Sequence, residues 1–335
     1  MQINIKGFIV PKLTEKFSDC HDRFSFDKES LRFAISDGVS NSFFPAKWAE
    51  ILTSNFAKNG WSDTFLEECR EEWRIWVIEQ VNKPDTKFFT RQMYNRQHSA
   101  AATFVGIELV KNEYFVSVIG DSHLFHFEEN NNFKDKSSTN TDFSNFPDYW
   151  DSHKGKDKGE LINENRKIEN GDTLILCTDA ISKWIIENVD NLENIKEFQN
   201  INTQIDFEKF IETHRDDNSL ENDDTAVLIL NFSEIDIEEI KINEIEITSI
   251  NDKINEEKEL QSLKEVEKKD VEQVEINEII EEIQPSINED KPFIQKILDF
   301  IRRTPIDKSS KKKILKMLEK ELPKILEQYD ISKQK

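Results

Sequence analysis

Residues 31–37, LRFAISD, form a short apolar run that ends in Asp37, and similar arrangements recur along the chain. Asp121 follows EYFVSVIG, Asp179 follows TLILCT, and Asp223 stands just before TAVLILNF. Runs that are rich in β-branched and aromatic residues predict β-strands. An unpaired carboxylate is costly to bury, so four of them at strand ends predict a shared site. Taken singly, each aspartate could instead cap a turn.

The shared site would be a metal site. Strand ends of one sandwich converge on one rim, and like charges gathered there are tolerable only if cations neutralise them. Aspartate oxygens are hard ligands, and the sequence shows no Cys or His spacing typical of zinc, so the pattern favours Mg²⁺ or Mn²⁺. A metal-dependent phosphohydrolase is one candidate for such a chain.

The arrangement of strand-like and helical segments predicts the fold class. The strand-like segments are INIKGFIV, LRFAIS, AATFVGIEL, EYFVSVIG, SHLFHFE, TLILCT and TAVLILNF. Tight connections between Phe104 and Phe127 indicate an antiparallel meander. Longer helical patterns follow Pro45 and Ser62. Clustered strands with paired helices predict an α+β sandwich rather than a doubly wound sheet.

Composition divides the 335-residue chain into three parts. All eight glycines lie at or before Gly171, and aromatic residues become rare after Phe232, so a mixed core is expected in residues 1–232. Residues 233–290 are acidic and rich in Glu, Lys and Ile, which predicts either a linker or a solvated helix. Residues 291–335 are basic with apolar residues at helical spacing, which predicts an amphipathic helical C-terminal segment.

Charge and cysteine content exclude several classes of protein. The formal net charge of −22 argues against a nucleic-acid partner, because phosphate contacts need clustered Lys and Arg. Cys20, Cys69 and Cys177 are widely spaced and odd in number, which favours a reducing compartment over a disulfide framework. No run approaches the roughly 20 apolar residues of a membrane span. These features predict a cytoplasmic protein with no membrane span.

Short motifs follow one another through residues 1–232. They are CHDRF, FAISDGVSNS, HSAAATFVGIEL, VIGDSHLF, GDTLILCTDAISKWI and DDTAVLILNF. Their order, with strands between them, resembles that of the PPM family of protein phosphatases (the protein phosphatase 2C type), and especially its bacterial branch. The resemblance implies an α-β-β-α sandwich of two antiparallel sheets flanked by helices.

The resemblance also implies a site for two Mg²⁺ or Mn²⁺ ions at one end of the stacked sheets. Asp37 would bridge the two ions, and Gly38 would offer its backbone carbonyl to one of them. Asp179 and Asp223 would complete the shell of the other ion. Asp121 matches an aspartate associated with a third, looser metal.

The implied catalytic residues are Asp22 and Asp37. Asp22 matches the aspartate with which family members hold metal-bound water. Two neighbouring cations lower the pKa of a water and hold it in line with phosphorus. No phosphoenzyme is then needed, so we interpret Cys20 and Cys177 as structural residues.

The phosphate-binding arginine of the family has no direct counterpart. Phe17 occupies its position, five residues before Asp22. Lys16 or Arg23 is the predicted replacement, and the alternative is that neither takes this role. His21 stands where many members carry a glutamate ligand, and we interpret it as a surface or supporting residue rather than a zinc ligand.

The implied activity is the metal-dependent hydrolysis of phosphoserine and phosphothreonine on proteins, opposing a cognate kinase in bacterial signalling. One alternative is a pseudophosphatase adaptor that binds phosphorylated partners, and another is a hydrolase of small phosphate esters. The retained aspartates favour an enzyme, because a binding module has no evident use for costly carboxylates. Residues 291–335 are predicted to dock a protein partner.

Overall fold

The computed structural model describes residues 1–139, 143, 147–235 and 239–262, together with positions 313, 314, 316, 317 and 320. The chain divides into two units, Met1–Ile254 and Asn255–Lys335. In the second unit, residues 255–262 and the few described later positions are helical. Most of the predicted linker and nearly all of the predicted basic segment, residues 291–335, lie outside the described residues. The boundaries of those parts stay predictions.

Two β-sheets occupy the middle of the first unit. The strands are β1 (Gln2–Val10), β2 (Arg23–Asp27), β3 (Arg32–Ser36), β4 (Ala101–Ala102), β5 (Phe104–Val110), β6 (Glu113–Ile119), β7 (His123–Phe127), β8 (Phe133–Ser137), β9 (Trp150–Asp151), β10 (Ile162–Lys167), β11 (Thr173–Cys177), β12 (Thr225–Ser233) and β13 (Lys241–Ile247). Sheet A has the order β13-β1-β12-β11-β7-β8, and sheet B has the order β10-β6-β5-β3-β2. All neighbouring strands in both sheets are antiparallel except β13, which pairs with β1 in parallel. Strands β4 and β9 form a separate short pair.

Helices cover the outer faces of both sheets. They are α1 (Pro45–Asn59), α2 (Phe65–Asn82), α3 (Phe88–Asn95), α4 (Asp179–Asn188), α5 (Leu192–Gln199) and α6 (Gln204–Asp216). Helix α1 contacts β2 and β3 of sheet B and carries α2 on top of it, while α4 and α6 contact β12 and β1 of sheet A. The layer order is therefore α-β-β-α, which confirms the predicted fold class. Among the described residues, no helix is both long and apolar enough to cross a membrane.

Strand β11 shows why the central strands read as continuous apolar runs. Leu174 and Leu176 point into the core between the two sheets. Ile175 and Cys177 point the other way, into the core between sheet A and its helices. Successive side chains of a strand face opposite sides of the sheet, and here both sides are covered. Such a strand is therefore mainly apolar along its whole length.

A buried polar contact joins the two sheets. His126 on β7 accepts the hydroxyl hydrogen of Tyr114 on β6 at its Nδ1 (3.0 Å). At its Nε2 it donates to Asp172 Oδ2 (2.7 Å). His126 is fully buried, and burial lowers the pKa of its imidazole. The neutral ring is therefore the form that can donate at one nitrogen and accept at the other.

We expect His126→Phe to lower the free energy of unfolding by about 3 kcal/mol, because the buried Tyr114 hydroxyl and Asp172 carboxylate each lose a partner. Urea unfolding monitored by circular dichroism measures this change. His98 is exposed, so the matched control His98→Phe should stay within about 0.5 kcal/mol of wild type. If both substitutions changed the free energy of unfolding equally, the hydrogen bonds of His126 would not contribute to stability.

Strand β7 departs from the predicted meander. Strands β5 and β6 pair in sheet B, but the chain then crosses at Gly120 and β7 joins sheet A. Gly120 has φ +100°, and a Cβ atom there would lie 2.6 Å from the Thr103 side chain, so only glycine fits the crossing. The apolar pattern of β7 does not distinguish the sheets, because both sheets are covered on both faces.

Residues 241–247 also differ from the expectation for residues 233–290. They were predicted to be part of a linker or solvated helix, but they form β13 at the edge of sheet A. Ile242 and Ile247 pack against the core between the sheets. Their β-branched side chains suit a pleated, half-buried edge. The strand propensity of these isoleucines is not evident from the sequence, because Glu and Lys residues surround them.

Candidate active site

The predicted aspartates lie on the loops that join strand ends at one edge of the sandwich. Asp37 follows β3 and Asp121 follows β6, both in sheet B. Asp179 begins α4 after β11, and Asp223 stands before β12, both in sheet A. The loops therefore bring carboxylates from the two sheets to one site. We call Asp37, Asp121, Asp179 and Asp223 the carboxylate cluster.

Burial and like charge change the acidity of the cluster. Burial, and then the charge of Asp121, raises the pKa of Asp37 to about 7. Burial, and then the charge of Asp179, raises the pKa of Asp121 to about 7 as well. Burial, followed by the charges of Asp37 and Asp223, raises the pKa of Asp179 well above its ordinary value. Each carboxylate thus disfavours ionisation of its neighbours.

Asp22 lies beside the cluster and is fully buried. Burial, and then the charge of Asp37, raises the pKa of Asp22 well above its ordinary value. Within the described part of the chain, the two carboxylate oxygens of Asp22 and Oδ1 of Asp121 form no well-formed hydrogen bond, although the Thr178 side chain lies near enough to Asp22 to lower its pKa slightly against the effect of burial. Buried polar atoms without partners are costly, so these oxygens need a proton, a water or a cation.

The backbone around Asp37 is fixed by Thr103. The Asp37 N–H donates to Thr103 Oγ1 (3.1 Å), and the Thr103 N–H donates to the Asp37 carbonyl (2.9 Å). The Thr103 hydroxyl also lies 2.6 Å from that of Ser122, which follows Asp121. A Cβ atom on Gly38 would lie 2.8 Å from the backbone of Pro45, so the start of α1 leaves room for glycine alone. These contacts hold the Asp37 and Asp121 loops in fixed positions.

Lys12, which was not recognised from the sequence, reaches the cluster from the loop after β1. Its ammonium group lies 2.8 Å from Asp223 Oδ1 and 3.4 Å from the Ser40 hydroxyl. Burial lowers the pKa of Lys12, but the hydrogen bond and charge of Asp223 outweigh burial and bring it to about 12. Lys12 lies outside the motifs described above, so only its position after β1 in the fold reveals it.

Asp224, unlike its neighbour Asp223, is hydrogen-bonded to the backbone of two loops. It accepts the backbone N–H of Lys12 at Oδ1 (3.0 Å) and that of His21 at Oδ2 (2.8 Å). It thereby ties together the two loops that carry Lys12 and Asp22. Of the two adjacent aspartates, Asp223 belongs to the cluster and Asp224 positions the chain around it.

The two cations predicted to bind phosphate are placed differently. Arg23 is buried, and its Nη1 donates to the carbonyls of Cys20 (2.8 Å) and Asp22 (2.6 Å). The guanidinium therefore holds the Asp22 loop, which is at odds with the predicted phosphate-binding role. Lys16 is exposed and precedes a short 3₁₀ helix, Phe17–Asp19. Its role stays a prediction.

The cysteines near the site are unsuited to nucleophilic chemistry. Cys20 and Cys177 are both fully buried and carry free thiols. Burial raises the pKa of Cys177 to about 12 and that of Cys20 well above its ordinary value. A thiol must ionise to act as a nucleophile, so the structural interpretation of both residues is confirmed.

The donor set fits a hard divalent cation. It consists of carboxylate oxygens, and the buried carboxylates of Asp22 and Asp121 could accept an ion or its waters. In the described part of the chain, no three His, Cys, Asp or Glu side chains stand close enough to enclose an ion as they are. The carboxylates would have to draw together around it. A cation would offset the repulsion that raises their pKa values, so the chemistry of these residues suits Mg²⁺ or Mn²⁺.

Comparison with known proteins gives structural similarity at low sequence identity. No protein-family model matches the chain, and no curated protein matches it. The photosystem II phosphatase PBCP is 12% identical, with 69% of this chain and 99% of that chain covered and a TM-score of 0.46. PppA, a regulatory component of T6SS in Pseudomonas aeruginosa, is 14% identical over 69% and 99% of the two chains, with a TM-score of 0.46. The serine/threonine phosphatase PstP/Ppp of Mycobacterium tuberculosis is 13% identical over 69% and 99%, with a TM-score of 0.45.

Proposed function

We propose that the chain is a PPM-type phosphatase that hydrolyses phosphoserine and phosphothreonine on proteins and depends on Mg²⁺ or Mn²⁺. The observation that carries this proposal is the carboxylate cluster, in which burial and neighbouring carboxylates from both sheets raise the pKa values of Asp37 and Asp179. The order of the sequence motifs and the α-β-β-α layers support the same family. A phosphorylated protein substrate also requires a kinase that produces it.

The proposed roles follow from the position of each group. Asp37, Asp179 and Asp223 would hold two ions, with a contribution from the Gly38 carbonyl, and Asp121 would hold a third, looser one. When bound, the two ions supply an activated water and neutralise charge on the phosphoryl oxygens.

Two further side chains complete the proposed chemistry. The buried oxygens of Asp22 would accept hydrogen bonds from the attacking water and orient it. Lys12 would bind the phosphoryl group, since its ammonium group already lies beside Asp223 at the rim of the cluster.

We expect Lys12→Gln to lower kcat/KM for a phosphothreonine peptide by about tenfold to a hundredfold, the value of one hydrogen bond to a charged group. Lys12→Arg should retain most of the activity, because it keeps a cation at the same place. Lys16→Gln is the control, since Lys16 is exposed, and it should leave kcat/KM unchanged. If Lys16→Gln were the damaging substitution, phosphate binding would belong to Lys16.

The substrate class is tested by measuring phosphate release from a phosphothreonine peptide, nucleotides and sugar phosphates with Mn²⁺ or Mg²⁺ present. Preference for the peptide is expected. Preference for a nucleotide or sugar phosphate would instead identify the chain as a hydrolase of small phosphate esters. No turnover by folded, metal-loaded protein, together with binding of the phosphopeptide, would favour the pseudophosphatase adaptor.

A further inference from the structure

A groove lies beside the carboxylate cluster, between the loop that follows β1 and the face of α6. Its volume is about 330 Å³, within the usual range for pockets that bind small groups. We call it the Leu13 groove, and the residues that define it are Val10, Lys12, Leu13, Phe17, Ile211 and Arg215.

The groove is connected directly to the cluster. Lys12 lines the groove, while its ammonium group lies 2.8 Å from Asp223 Oδ1. Arg215 donates to the Pro11 carbonyl (2.9 Å) and to the carbonyl of Asp223. The Leu13 N–H donates to Asn222 Oδ1 (2.7 Å). A chain whose phosphorylated residue reached Lys12 would therefore have its next residues beside this groove.

The lining of the groove is mainly apolar, and its charged residues balance, with Lys12, Arg215 and Lys253 against Glu208, Glu212 and Asp216. Leu13 keeps 59% of its surface exposed, although Ile211 beneath the groove is fully buried. Exposed Glu212 and Asp216 on α6 form part of the lining. An apolar side chain would cover Leu13 and gain the free energy of burial. An acidic side chain would lose its hydration against Leu13 and the other apolar residues of the lining, which is costly.

We propose that the Leu13 groove is a subsite for an apolar side chain of the substrate, one or two residues away from the phosphorylated residue. The inference rests on the proposed protein phosphatase activity and narrows its substrate class. Substrates with an acidic residue at that position are disfavoured, whereas those with a leucine or similar side chain are preferred.

The experiment uses the full chain with Mn²⁺ and a series of phosphothreonine peptides. Leucine, alanine or glutamate is placed at each of the nearest positions on either side of the phosphothreonine. At one position, leucine should raise kcat/KM about tenfold over alanine, and glutamate should lower it below alanine. Leu13→Ala should reduce the preference for leucine to about twofold or less. An aryl phosphate lacks neighbouring residues, so its turnover should be the same in wild type and Leu13→Ala.

Leu192 on α5 is also exposed, at 49%, and Leu192→Ala is the matched control that should keep the full preference for leucine. Aryl phosphate turnover without any preference among the peptides would overturn the subsite and leave the phosphatase intact. A preference that survives Leu13→Ala would also overturn it. Absence of turnover on every phosphate ester would remove the proposed function and the subsite together.

Discussion

Asp37→Asn is expected to lower metal-dependent kcat/KM by about a thousandfold or more. Asp37 is the carboxylate proposed to bridge the two ions, and a neutral amide would weaken both ion positions at once. Losing the stabilisation that two cations give to a phosphoryl transition state is worth several kcal/mol, and each 1.4 kcal/mol is about tenfold in rate. Initial rates of phosphate release from an aryl phosphate and a phosphothreonine peptide measure the effect.

Asp190→Asn is the matched control, because Asp190 is exposed and the same atoms change. It should retain wild-type rates. Circular dichroism of both variants checks that they are folded. A folded Asp37→Asn protein that keeps more than about a tenth of the wild-type rate would rule out a bridging role for Asp37.

The second large effect is on stability in the absence of metal. We expect the free energy of unfolding of the metal-free protein to fall as pH rises from about 4 to about 7. Asp37 and Asp121 have a pKa of about 7 in the folded protein, against an ordinary value near 3.9. Their folded-state pKa values are raised, so the stability that they contribute is complete below the ordinary pKa. It is lost as pH rises through the folded value. For Asp121 alone the loss is about 4 kcal/mol.

Urea unfolding in the presence of a chelator, at a series of pH values, measures this loss. The double variant Asp37→Asn, Asp121→Asn should lose the share of the pH dependence that these two carboxylates contribute, while the share of Asp22 and Asp179 remains, and it should be more stable than wild type above about pH 7. Added Mn²⁺ should restore the stability of wild type at high pH but not that of the double variant. A wild-type curve that stays flat over this range would contradict the mutual repulsion of the cluster.

The sequence predicts the sandwich well wherever both faces of a strand are buried. The apolar runs of β11 and β12 are typical of strands in a sheet that is covered on both faces. Burial of both faces also explains why β7 was wrongly predicted to continue the meander of β5 and β6. An apolar pattern does not show which sheet a strand joins. Strand β13 was not predicted, because its sequence lacks a continuous apolar run. Its isoleucines alternate with polar and charged residues in KINEIEI, and Ile242 and Ile247 become half-buried where the strand pairs with β1.

The sequence pattern singles out the aspartates of the candidate site but not Lys12. Each aspartate of the cluster stands within two residues of an apolar run, so local pattern identifies it. Lys12 has no comparable sequence pattern around it. Its position beside Asp223 depends on contact between two loops that lie 211 positions apart in the chain. Arg23 was predicted from its closeness in sequence to Asp22. The structure turns its guanidinium toward backbone carbonyls instead, a choice that sequence spacing does not encode.

The most direct test of the central claim is a calorimetric titration of the full chain with Mn²⁺, comparing wild type with Asp37→Asn. The account predicts about two ions per chain for wild type and a marked loss of affinity in the variant, with Asp190→Asn binding like wild type. If Asp37→Asn bound Mn²⁺ with the same stoichiometry and affinity as wild type, the carboxylate cluster would not be the metal site.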